Sequence, residues 1–293
     1  MISKVIRMRL PYSLRFLVIV SLLALPWLTA SRCFGQENPP PTEEQRQARD
    51  VLNQGVQAFK NAQYEEATRA FLHAKQLDPK LMNAWLYLAT TYASQYIPGA
   101  PGEENIHMGR AAIEEFRGAL SLDPQNISAI DGLGSLLFQM AGEPFDPDLF
   151  QESKSYHQRH IYLRPADPEP YFWIGVIDWT LAFRANSLLR TKHNLSVRGR
   201  QLSEMEPLPP ELRDAYVRGY GATIDEGIES LSHAISIRPD YDDAMAYLNL
   251  LYRRKADTEA GESEREQLIK MADDLIDKVK DIKQKRAEEP RQP

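Results

Sequence analysis

The chain has 293 residues, of which 35 are Lys or Arg, 41 are Asp or Glu and one is Cys. Apolar residues make up 43% and charged residues 26%, the composition of a folded chain, which excludes wholesale disorder. One cysteine excludes an internal disulfide, a cysteine zinc cage and an iron–sulfur cluster, and a net charge of −6 gives no basis for nucleic-acid binding.

The first element is a targeting segment. Lys4, Arg7, Arg9 and Arg15 precede an apolar run from Phe16 to Ala30. That run is short of the ~20 residues a helix needs to span a bilayer, and it contains Pro26. A basic start followed by a short apolar core predicts a secretory signal over residues 1–35, cleaved before Gln36. An uncleaved anchor is the alternative. A lipoprotein would need a small residue before Cys33, and Arg32 stands there. Residues 1–35 hold five basic side chains and no acid, so removing them takes the net charge from −6 to −11. Residues 36–42 read as a linker stiffened by Pro39, Pro40 and Pro41.

Thr42-Glu-Glu-Gln45 reads as a capping box that opens the first helix. From there a spacing recurs. Ala67, Ala112, Ser153 and Gly227 each lie 12 residues before a proline: Pro79, Pro124, Pro165 and Pro239. A large or ring-bearing residue follows each by four: Phe71, Phe116, His157 and Leu231. Ala74, Ala119, His160 and Ala234 follow three later, and Trp85, Ile130, Tyr171 and Met245 come six after the prolines. Small residues at Gly55, Ala89, Gly134 and Gly175 let neighbouring helix backbones approach. One helix pair buries too little alone, so several must stack.

This pattern resembles the tetratricopeptide repeat (TPR), a 34-residue helix–turn–helix unit. The stretch Pro239–Arg253 is similar to that of exported bacterial TPR proteins. The resemblance implies an all-α superhelix of five helix pairs, over 43–81, 82–126, 127–167, 168–241 and 242–282. Pairs two, three and four carry spacers of about 11, seven and 40 extra residues, measured against that repeat. Further capping boxes are predicted at Thr223-Ile-Asp-Glu226, opening the second helix of pair four, and at Ser263-Glu-Arg-Glu266. Glu211 to Tyr220 reads as a separate short helix, with a turn at Gly219-Tyr-Gly221. Leu268, Ala272, Leu275, Val279 and Ile282 form the apolar face of a capping helix. From Lys283 to Pro293 the charged, proline-punctuated chain reads as a disordered tail.

His157 and His160 have a spacing that can hold a metal, yet both fall at core positions of the repeat. Gly132-Leu-Gly134 lacks the strand and spacing of a phosphate loop. No nucleophile elbow or metalloprotease helix is present. The expectation is therefore no enzyme and no cofactor. Asn126-Ile-Ser128 and Asn194-Leu-Ser196 match the glycosylation pattern, which is too short to carry weight.

In the TPR family the first helix of each pair lines the groove that takes protein or peptide partners. Carried over by register, the groove would hold Leu52, Val56 and Phe59, then Asn83, Leu86 and Thr90. Asp131, Ser135 and Phe138 follow, then Phe172, Val176 and Trp179, then Ala246, Leu250 and Arg253. Phe138, Phe172 and Trp179 should cluster, with Asp131 and Arg253 orienting a ligand. A carboxylate clamp is not found. The other candidate is a basic spacer, Arg184, Arg190, Lys192, Arg198 and Arg200, which would grip an acidic partner or lipid headgroups. The function expected is an exported protein-interaction scaffold. The alternative is a structural envelope component held at a membrane by the anchor or the basic spacer.

Overall fold

The computed structural model describes residues 40–197, 201–203 and 206–288. The expected signal segment, most of the linker, Arg198, Arg200 and residues 289–293 lie outside them. The described residues form ten helices and no strand. They are α1 (Glu43–Lys60), α2 (Tyr64–Leu77), α3 (Met82–Ala93), α4 (Glu103–Leu122) and α5 (Ile127–Gly142). Then come α6 (Pro147–Leu163), α7 (Pro168–Ser196), α8 (Pro210–Ile237), α9 (Asp242–Ala256) and α10 (Glu262–Glu288).

Local chemistry starts several of these helices. Thr42 and Gln45 exchange side-chain and backbone bonds of 3.0 and 3.2 Å, the expected capping box. Asn126, Asp146 and Asp167 cap α5, α6 and α7, and Pro147 and Pro168 occupy first-turn positions where no N–H is needed. Consecutive helices pack in pairs, and each pair stacks on the next. First helices also pack directly, α1 on α3, α3 on α5 and α7 on α9.

The repeat positions are core. Ala67, Phe71 and Ala74 are fully buried, as are Ala112, Ala119, Leu231 and Ala234. Close approach is visible at two glycines. A Cβ on Gly175 would lie 2.3 Å from Leu231 Cγ, and one on Gly134 would lie 2.7 Å from His157 Cε1. Ala119 is fully buried in the core of pair two, so Ala119→Leu should overpack it and lower stability by about 1–3 kcal/mol, read from urea midpoints. An unchanged midpoint would reject this packing.

Among the described residues the spacer of pair four forms no separate helix. It lengthens both helices, to 29 residues in α7 and 28 in α8, about 43 Å each. The short helix expected at 211–220 and the turn at Gly219–Gly221 are therefore corrected, because α8 runs unbroken from Pro210. Thr223 caps nothing, and Glu226 instead reaches Lys154 at 2.8 Å. Ser263 lies inside the first turn of α10, which starts at Glu262. The tail expected from Lys283 is helical as far as Glu288. Arg286 holds it there, 2.7 Å from Asp242 and 3.4 Å from Asp240.

Candidate functional site

The wall made by the first helices has two parts. In the first, α3 and α5 flank a trough of about 340 Å³. Ser128, Gly132, Ser135 and Gln139 line it from α5 at steps of four, three and four, one face of that helix. Leu86 and Thr90 line it from α3, and Phe116 and Leu136 add apolar surface. Its ten lining residues include no charged side chain. Thr90 and Ser94 donate their hydroxyl protons to Leu86 and Thr90 carbonyls at 2.8 Å, which leaves their oxygens free to accept. Of the residues expected in a groove, Leu86, Thr90 and Ser135 are here. Ser128, Gly132 and Gln139 were missed, although the register of Ser135 points to them.

In the second part, rings replace open space. Phe138 meets Trp173 at 5.5 Å, Trp173 meets Phe172 at 5.5 Å, and Phe172 meets Tyr247 at 5.7 Å. Tyr247 meets Trp179 at 5.3 Å, which stacks on Phe183 at 5.3 Å. The three expected aromatics are thus linked, through Trp173 and Tyr247, which sequence register did not select. All are half-buried, and Phe172 and Trp179 pack against the core of the last two pairs.

Other expected site residues face elsewhere. Phe59 turns to Tyr64 at the first hairpin, 5.7 Å away. Asn83 is exposed on α3, outside the trough. Asp131 faces α6, where its carboxylate lies 2.7 Å from His160 Nδ1. Arg253 faces α10, 2.5 Å from Asp273 and 3.2 Å from Asn249, in a separate cavity of about 480 Å³. Neither Asp131 nor Arg253 is free to orient a ligand on the first-helix wall.

The basic spacer is also divided. Arg184 and Lys192 are exposed. Arg190 is buried: it bonds Asn186 at 2.7 Å, Asp257 at 3.1 Å and the carbonyls of Ser203 and Glu206. It is a clamp that pins the loop after α7 onto the start of the α9–α10 turn, because a buried guanidinium must satisfy its donors. The two glycosylation-pattern asparagines are similarly occupied. Asn126 accepts from Ala129 N–H at 3.1 Å, and Asn194 exchanges two bonds with Leu202.

A charged cluster is buried where α6, α7 and α8 meet. Lys154 Nζ lies 2.6 Å from Asp178 Oδ1 and 2.8 Å from Glu226 Oε2. Asp178 is fully buried, and its Oδ2 has no partner. Burial pushes its carboxyl up to about 7, against the opposing pull of Lys154. His157, one turn from Lys154, stacks on Trp173 and has no partner on either ring nitrogen. Burial, then the neighbouring His160, pushes it down to about 4, so it is neutral. Among the described residues no group of three or more His, Cys, Asp and Glu is placed to hold a metal.

No protein-family model matches the sequence, and no curated protein matches it either. Solved structures do match in fold. A MamA structure aligns at TM-score 0.54 and 18% identity, over 84% of this chain and 97% of that one. MamA 41-end from Desulfovibrio magneticus RS-1 aligns at 0.52 and 14%, over 85% and 99%. YrrB, described as a TPR protein with an unusual peptide-binding site, aligns at 0.49 and 16%, over 82% and 92%. The recurring 12- and six-residue spacings, the stacked helix pairs and the two MamA alignments agree, and the chain has the fold of a tetratricopeptide-repeat solenoid.

Proposed function

We propose that the chain is an exported protein-interaction module that takes a stretch of partner polypeptide along its first-helix wall, without catalysis. The uncharged trough between α3 and α5 carries this reading. In a chain with 26% charged residues, ten adjacent lining positions without a charge form a surface that can be desolvated cheaply. Its hydroxyl and amide groups suit the backbone of a bound chain, and the partly exposed Leu86 and Ala93 suit side chains. Export rests on the basic and apolar layout of residues 1–35.

A photo-crosslinking residue at Ser135 should label one defined partner in the native envelope. Adding Ser135→Glu, a charge with no counter-ion, should weaken that partner's affinity by at least about tenfold. Labelling only at the outer helices α2, α4 and α6 would move the site off this wall. The N-terminus of the same material, read by mass spectrometry, should be near Gln36.

A further inference from the structure

A second surface lies on the overhanging end of α7, away from the trough. Arg184, Leu188, Lys192 and Leu195 are separated by four, four and three residues, so they share one helix face. Arg184 and Leu188 border a cavity of about 370 Å³ that Phe145 and Tyr220 close from the far side. Leu188 is 53% exposed, Leu195 83% and Phe145 39%. Large apolar side chains grouped in this way mark contact sites more often than single exposed ones do.

The charge of this face has one sign along the helix. From Thr180 to Ser203 the chain contains no Asp or Glu. Lys192 is exposed and makes no ion pair among the described residues. Arg184 lies over the Phe145 ring at 5.4 Å and 3.6 Å from Glu143, but the two side chains are 48% and 70% exposed. Exchanging that acid for another costs little. A second copy of this chain would bring the same cations together across a two-fold axis, which is unfavourable. A lipid surface needs a broad face, whereas the hole between Leu188, Phe145 and Tyr220 fits a single side chain.

We propose that the α7 overhang docks an acidic segment of a partner protein, which inserts one large apolar side chain between Leu188, Phe145 and Tyr220. Apolar insertion supplies affinity, and Arg184 and Lys192 select acidic flanks and speed encounter.

The test uses the full-length chain and three probes. They are a helical peptide with one Trp flanked by Glu, the same peptide with Lys for Glu, and phosphatidylglycerol vesicles. The Glu peptide should bind, more weakly as salt rises, and the Lys peptide should not. Leu188→Ala and the pair Arg184→Glu with Lys192→Glu should each weaken it at least about tenfold, while Ser135→Glu in the trough should leave it unchanged. These positions are exposed, so unchanged thermal melts verify the variants. Equal binding of both peptides, or indifference to the variants, overturns the proposal. Vesicle binding lost in the same variants overturns it in favour of a lipid surface, and self-association lost in them overturns it in favour of a dimer.

Discussion

At pH 8, where Asp178 is ionised, Lys154→Ala should destabilise the array by about 3–5 kcal/mol, because it leaves a carboxylate buried without its counter-ion. Lys154 is 5% exposed, and Asp178 behind it is fully buried with one oxygen already unpartnered. Glu226 is exposed enough to turn to water, but Asp178 is not. The loss should appear as a lower urea midpoint with an unchanged slope. Lys154→Met combined with Asp178→Leu removes both charges and should recover much of the stability, since the attraction of a buried pair largely offsets its desolvation. A Lys154→Ala midpoint equal to wild type would mean that water reaches this junction.

The pH dependence of stability should contain two opposing slopes from the same junction. Asp178 rises from 3.8 to about 7 on folding, so the folded chain holds its proton longer. Its stabilising contribution is complete below pH ~4 and is lost as pH rises through about 7. His157 falls from 6.5 to about 4, so the folded chain releases its proton sooner. Its contribution is complete above pH ~6.5 and is lost as pH falls through about 4. Between these limits each masks the other. Asp178→Asn should uncover the histidine, with stability rising by about 3 kcal/mol from pH 4 to 6.5 relative to wild type. His157→Phe should uncover the carboxyl, with stability falling by about 4 kcal/mol from pH 4 to 7. Urea unfolding across pH 4–8 measures both. Three parallel profiles would show that neither group titrates differently on folding.

The fold was legible because its signal is periodic. Ala67, Phe71, Ala74 and Pro79 recur in register, and each position has one structural job. The spacers were less legible because length alone does not say whether extra residues form a turn or extend a helix. Thr223–Glu226 has the letters of a capping box, but Tyr216, bonded to the Ala182 carbonyl of α7, and the buried Ile224 hold α8 in the core on either side of it, and the backbone stays helical. At the candidate site, helix register found Leu86, Thr90 and Ser135, since those depend on one helix each. Asp131, Arg190 and Arg253 went astray for a common reason. A charge reads as exposed until its partner is known, and those partners lie 29, 67 and 20 residues away.

The long fourth pair also bears on how the chain closes. The earlier pairs are tied by local links, such as Ser153 to the Gly134 carbonyl over 19 residues and Lys75 to Glu115 over 40. The fourth pair is tied by Arg190 to Asp257 over 67 residues and by Tyr241 to Glu169 over 72. Closure entropy grows with the logarithm of the segment closed, so 67 residues against 19 adds about 1 kcal/mol. That entropy must be spent before α9 returns to α7, whereas α1 to α6 can close stepwise over short loops. The same overhang that displays Leu188 therefore gives an otherwise sequential array its most non-local step.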